Sequence, residues 1–427
     1  MKIAILSNFR EFNPGYSLSG IVLDQCRMLQ AHGHEVDCFV ADSFKDGGNP
    51  YPDVLHLKKV IPHPPLTDYR EKSKISPEHR KMVKDVSEVL LSEMPNYDFV
   101  ITHDWVFTGW NMPYALAIQE TSREIRMRKQ NIRWGHWIHS VPSALQDWWL
   151  IREYGPGHKI VYPNSVDRIR VAENFRGTVN DVKVIPHIKD LRSFWEFDSE
   201  TCRFIDDHPG IMNADVVQVY PASTDRLEAK QLEYVLLITA ALKRHGFSVF
   251  LCIANQHYRG KKPKETVEKY MKIGMRNNLK YGEEFVFTAQ WDPQRYGLGV
   301  PRGMLRELML MQNLFIFPTR EESFGLVAPE VALTAGGCLI VFNKSLQMMM
   351  EVSGMTGLYI DFGSYHMQLD VQKGTDKKYL EDIAWLILGR MRANEAINQK
   401  TFYRQNNNWD SIYKNYYGPI LRESYVW

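Results

Sequence analysis

Two carboxylates, Glu322 and Glu330, flank a short Ser-Phe-Gly-Leu turn, with seven residues between them. A carboxylate accepts hydrogen bonds from ribose or sugar hydroxyls, and backbone N–H groups at a strand-to-helix turn hold an anion. About ninety residues earlier lie two cations four residues apart, Arg226 and Lys230. An Arg fork and a Lys point charge suit a pyrophosphate. Fixed cations there would offset the negative charge that builds on a leaving diphosphate, without a metal. A third candidate is His139, in Trp137-Ile-His139-Ser-Val. It could hydrogen-bond a sugar or orient an acceptor hydroxyl. The chemistry implied is that of a phosphorylated sugar.

These residues need strands and helices to hold them. Residues 314–317 read as a buried strand and 338–342 as another. Between them a polar loop leads to a short helix with Pro329 in its first turn and Gly336-Gly337 at its end. Upstream, residues 215–221, 248–254 and 284–289 read as strands, with helices over 232–242, 261–280 and 302–311. That alternation predicts a doubly wound domain, with its base site near Asn255 or Thr288. The first half opens with a strand at 2–7, a loop containing Pro14-Gly15, a helix with Ser19 as N-cap, and a strand at 36–41. Later strands are read at 98–102 (ending at His103-Asp104), up to His139, and at 159–163 and 181–186. The polar residues 191–213 read as a linker. No G-x-G-x-x-G follows the first strand, which argues against a dinucleotide dehydrogenase.

At 427 residues the chain suits two domains, and its net charge of +2 gives no global field for nucleic acid. A local basic run, Arg123, Arg126, Arg128, Lys129 and Arg133, precedes an aromatic-rich segment that suits a polyanion or a solvated helix face. The five cysteines show no paired metal spacing. The N-terminus reads as a strand rather than a signal peptide, and no apolar run approaches ~18 residues. A soluble, cytoplasmic protein is expected.

The segment Phe317-Pro-Thr-Arg-Glu-Glu322-Ser-Phe-Gly-Leu, running to Glu330 and Gly336-Gly337, resembles the E-x7-E signature of retaining GT-B glycosyltransferases, most nearly the GT4-like group. The resemblance implies an α/β fold of two Rossmann-like domains facing an interdomain cleft. It implies an acceptor domain at 1–190, a linker at 191–213, a donor domain at 214–400, and a helix at 401–427 packing back on the first domain. By it, Glu330 holds the nucleotide ribose, and Glu322 with the amides of Ser323, Phe324, Gly325 and Leu326 meets sugar and phosphate. Arg226-Leu-Glu-Ala-Lys230 is similar to the family's G-R-L-x-x-x-K-G element, with four-residue rather than five-residue spacing and Gln231 in place of Gly. His139 stands at the "t-v-H-d" histidine, Gly15, Ser19 and Gly20 at a donor-phosphate loop, and 182–188 resembles "v-x-V-I-P-N-G" with His187 replacing Asn. The co-substrate implied is a nucleotide diphosphate sugar, of UDP type, with no metal or other cofactor; retention follows from the resemblance alone.

The acceptor stays open: a saccharide, a lipid or a small molecule. The chain's texture also looks like that of phage and viral glycosyltransferases, some of which modify hydroxymethylated bases in DNA. His103, Asp104, Arg126, Arg128, Lys129 and Arg133 are then acceptor candidates. Other readings are a GT-B-fold sugar-nucleotide epimerase and a non-catalytic binding module for nucleotide sugar or nucleic acid.

Overall fold

A computed structural model describes the chain except residues 14, 46–48, 50–54, 64–74, 107–111, 142–148, 257–262, 323–324, 365–367, 372 and 424–427. It divides into two compact units, Met1–Asp190 with Asn407–Trp427, and Leu191–Asn406.

The first unit is built on seven parallel strands: β1 Lys2–Leu6, β2 Glu35–Ala41, β3 His56–Ile61, β4 Phe99–His103, β5 Arg133–Trp137, β6 His158–Tyr162 and β7 Val182–Val184. Their order is β3-β2-β1-β4-β5-β6-β7. Strand β1 shows why both faces are covered. Ala4 and Leu6 join a core with Val86, Leu90 and Ile118, while Ile3 and Ile5 join a second core with Val22, Leu29 and Ile420. An unbroken apolar strand of this kind suits a sheet buried on both faces. The order reverses direction between β1 and β4, so ligands are expected at the carboxyl ends of those two strands.

In the second unit, β8 (Val216–Ser223), β9 (Val249–Gln256) and β10 (Phe285–Phe287) form one parallel sheet, ordered β10-β9-β8. Strands β11 (Leu314–Phe317), β12 (Leu339–Asn343) and β13 (Leu358–Ile360) form another. Side-chain amides stitch β8 to β11. Gln218 donates to the Ile316 carbonyl at 3.1 Å and accepts from its N–H at 3.2 Å. Asn313 Oδ1 accepts from Val217 N at 2.9 Å, and Gln312 Oε1 from Val219 N at 3.0 Å. These amides satisfy buried peptide groups that a backbone ladder would otherwise pair. The strands thus run β10-β9-β8-β11-β12-β13, with the reversal between β8 and β11.

Several sequence expectations change. Residues 191–213 are not an irregular linker: they hold helices Leu191–Phe194, Ser199–Asp207 and Gly210–Asn213. Phe204, Ile205 and Ile211 are buried in the second unit's core, an apolar stripe masked by a polar composition. Buried Arg404 ties this segment down, donating to the carbonyls of Ile211 (3.0 Å), Met212 (2.6 Å) and Ala214 (2.6 Å). The helix Glu395–Asn406 stays with the second unit, and the chain joins the first only from Asn407. The expected strand at 284–289 ends at Phe287 and turns into the helix Thr288–Trp291. Ser19 is not an N-cap. The helix is Ser17–Ala31, with Tyr16 at the N-cap position making no side-chain cap, and Ser19 is buried within its first turn.

Candidate functional site

The loops after β8 and β11, on either side of the second unit's reversal point, meet through charge. Lys230 Nζ pairs with Glu322 Oε1, both side chains being only 12% exposed. The ammonium also lies 5.1 Å from the centre of the Phe317 ring. Backbone contacts lock the two loops together, with Arg320 N donating to the Ala229 carbonyl at 3.2 Å. Burial, and then the neighbouring Arg226 charge, push Lys230 down to about 8. The adjacent Glu322 carboxylate works against that shift by favouring the charged ammonium.

Local geometry explains the spacing. Residues 224–226 form a 3-10 turn, and Lys230 N donates to the Arg226 carbonyl at 2.8 Å, so the two cations lie one turn apart. Arg226 is exposed. Gln231 then adopts a left-handed conformation (φ 55°) and its Nε2 donates to the Glu228 carbonyl at 3.0 Å. That side-chain bond supports a backbone state that glycine reaches without strain. On the other loop Gly325 has φ 75°, and a Cβ there would meet Met349 Sδ at 2.9 Å. Glycine takes this turn without strain, and a larger residue would also have to displace the Met349 thioether. Leu326 leads into the helix Val327–Thr334 and is exposed. Ser323 and Phe324 lie outside the described residues.

Glu330 sits in that helix's first turn and pairs with Arg302 at 3.1 Å, an arginine 93% exposed. Both line a groove of about 390 Å³ with Gly303, Leu305, Met309 and Leu333. Sequence reasoning missed Arg302; its place at the start of the helix 302–311, after Pro301, was the available signal.

Two buried asparagines hold the strand ends in place. Asn255 donates to Thr224 Oγ1 and Gln290 Oε1, each at 3.1 Å, and accepts from Ala289 N at 3.0 Å. Asn343 donates to the carbonyls of Thr319 (3.2 Å) and Gly363 (3.0 Å). Asn255 and Thr288 are both fully buried, at the carboxyl end of β9 and just after β10.

In the first unit, the carboxyl ends of β4, β5 and β7 bring three histidines together. His103 Nδ1 and His139 Nε2 are 2.9 Å apart. On its other side His139 lies against His187, ring centres 5.0 Å apart. Asp104, at φ 56°, accepts from the His139 N–H at 2.7 Å and from Ser140 Oγ at 3.4 Å. Burial raises the Asp104 carboxyl and lowers His139 to about 3, with His187 contributing. A histidine so hard to protonate serves as a hydrogen-bonding group rather than a general base near neutral pH. At the end of β1, Gly15 N donates to Asn13 Oδ1 at 2.9 Å, and Gly20 has open space where a Cβ would stand. Neither glycine is required by a close approach.

The basic run is not brought to these histidines. Arg126 donates to the Tyr154 carbonyl at 2.8 Å, and Arg133 Nη1 to the carbonyls of Leu421 (2.5 Å) and Glu423 (3.1 Å). Arg128 pairs with Glu124 at 3.0 Å, and Lys129 ends its helix at φ 56°. Arg133 begins β5 whereas His139 lies beyond its other end, roughly 15 Å of strand away. These cations cap carbonyls and close a helix, work that periodicity does not reveal. Among the described residues, no helix is long and apolar enough to cross a membrane.

No family model matches the chain, and no curated protein matches it. Among solved structures it is similar to sucrose-phosphate synthase from Thermosynechococcus elongatus, at 17% identity and TM-score 0.35, covering 99% of this chain and 98% of that one. It is similar to a glycosyltransferase from Rickettsia africae, at 12% identity and TM-score 0.36, covering 99% and 97%. It is also similar to HepE of Anabaena, solved in complex with UDP and glucose, at 14% identity and TM-score 0.34, covering 98% and 99%. Identities and TM-scores of this size identify no activity.

Proposed function

We propose that this chain is a glycosyltransferase of the retaining GT-B type, moving a sugar from a nucleoside diphosphate donor, a UDP-sugar, to an acceptor hydroxyl. The observation that carries the reading is the Lys230–Glu322 pair, which joins the two loops at the second unit's reversal point. A phosphate-seeking cation and a hydroxyl-seeking carboxylate stand together where a diphosphate meets its sugar. In the reaction the bond from the anomeric carbon to the diphosphate oxygen breaks. A bond from that carbon to the acceptor oxygen forms, and the acceptor hydroxyl's proton passes to the departing diphosphate oxygen. Arg226 and Lys230 take the growing charge on the diphosphate. Glu322 and the amides around Gly325 orient the sugar, Glu330 holds the ribose, and His139 lines the hydroxyl side.

A saccharide, lipid or small-molecule acceptor is favoured over DNA, because Arg126 and Arg133 are committed to backbone carbonyls. The test is release of nucleoside diphosphate from a panel of nucleotide sugars, with and without acceptors. Acceptor-dependent release is expected, together with a rate loss of about 10²- to 10³-fold in Arg226→Ala/Lys230→Ala that exceeds any loss of affinity. Wild-type turnover in that double variant would refute the phosphate role. Acceptor-independent conversion of one nucleotide sugar into another would establish an epimerase instead.

A further inference from the structure

A chain of hydrogen bonds runs from the C-terminal segment to His139, entirely within the first unit. Gln25, on the helix Ser17–Ala31, donates through Nε2 to the Tyr417 hydroxyl at 2.6 Å. Its Oε1 is therefore turned toward His103 Nε2, 2.8 Å away. An amide oxygen only accepts, so His103 must carry its proton on Nε2. Neutral His103 is then bare at Nδ1 and accepts from His139 Nε2 at 2.9 Å. The two rings are 18° from coplanar with centres 5.2 Å apart, the arrangement of an in-plane N–H···N bond. The proton of neutral His139 is thereby spent on Nε2. His139 Nδ1 is left as a buried lone pair without a hydrogen-bond partner among the described residues, a polar atom that calls for a donor.

The start of the chain is itself held. Tyr417 stacks on Trp137 with ring centres 5.4 Å apart and ends a π-helical turn, Tyr413–Tyr417. Such turns often mark functional sites. The far end is held too, since Asp104 grips the His139 backbone N–H.

We propose that Tyr417 and Gln25 are positioning residues that act through His103 to hold His139 in its Nε2–H tautomer, so that its bare Nδ1 receives a hydrogen bond from a substrate hydroxyl. The role rests on the assignment of His139 to the hydroxyl side of the transfer reaction. The tautomer itself does not.

The test is long-range proton–nitrogen NMR of the full-length protein labelled with ¹⁵N-histidine, His139 being assigned by its loss in His139→Gln. Wild type is expected to show His139 protonated at Nε2 and bare at Nδ1. Protonation at Nδ1 would overturn the proposal without any variant. In Tyr417→Phe the Gln25 amide loses its acceptor and is free to turn its NH₂ toward His103. The Nδ1–H form of His139 should then appear, and kcat for transfer should fall about tenfold, the effect of one lost hydrogen bond. An unchanged tautomer in Tyr417→Phe would overturn the relay. The expected NMR pattern in a protein that transfers no sugar would leave the relay standing and refute the glycosyltransferase reading alone.

Discussion

Replacing Lys230 with Met keeps the length and apolar stem of the side chain and removes its charge. Glu322, 12% exposed in the wild type, then loses its paired ammonium. Breaking one side of a buried pair commonly costs about 3–5 kcal/mol. Here the cost has a ceiling, because Glu322 can escape by taking a proton. Because pH 7 is about 2.7 units above the ordinary glutamate pKa, protonating a carboxylate at that pH costs about 3.7 kcal/mol. A loss near 3 kcal/mol is therefore expected. The pH sign follows. In the variant the folded-state carboxyl lies above its unfolded value, so the penalty relative to wild type shrinks by up to about 1.4 kcal/mol per unit as pH falls toward 4.3. Replacing both residues, Lys230→Met/Glu322→Leu, should restore stability to within about 1 kcal/mol. Urea unfolding of the full chain between pH 5 and 8, read by far-UV circular dichroism, measures all three. A Lys230→Met loss below about 1 kcal/mol that does not change with pH would refute the buried pair.

Three further outcomes are expected. Gln218→Leu strips partners from both Ile316 peptide groups and should cost about 2–4 kcal/mol in unfolding free energy; a variant as stable as wild type would mean the β8–β11 stitch is not formed. Gln231→Val places a β-branched residue at φ 55° and should cost about 1–3 kcal/mol, whereas Gln231→Gly should be nearly neutral by thermal melting; equal melting temperatures would exclude the left-handed turn. Burial holds His136 and His139 at about 3, below the unfolded histidine value. Their contribution to stability is therefore complete above about pH 6.5 and lost as pH falls, by up to about 1.4 kcal/mol per unit for each. A flat stability profile between pH 7 and 5 would contradict their burial as neutral groups.

The strands that carry the site were legible because they are apolar and bounded by turn residues. Residues 314–317 are strand as read, and the loop chemistry of Glu322 and Gly325 follows that strand directly. Strand β3, His-Leu-Lys-Lys-Val-Ile, was not read, because an edge strand carrying two lysines lacks the apolar signature. The amide stitch left a visible trace, a Gln inside Val-Val-Gln-Val-Tyr and Gln-Asn just before Leu314, since a polar residue in a buried run needs a partner. The partner's identity is a tertiary matter. Arg404 reaching back to Ile211, and Gln25 meeting Tyr417 across 392 positions, have no local periodicity to betray them. The basic run shows the same limit: the carbonyls that Arg126 and Arg133 cap come from distant parts of the chain, which no periodicity reveals.

The central claim is that the second unit holds a nucleoside diphosphate with Glu330 on its ribose. Calorimetric titration of UDP, GDP and ADP into wild type and Glu330→Ala tests it most directly. At least one nucleotide is expected to bind wild type and to weaken at least about tenfold in the variant, a loss of about 1.4 kcal/mol or more. Binding of none of the three, or equal affinity in Glu330→Ala, would contradict the donor site.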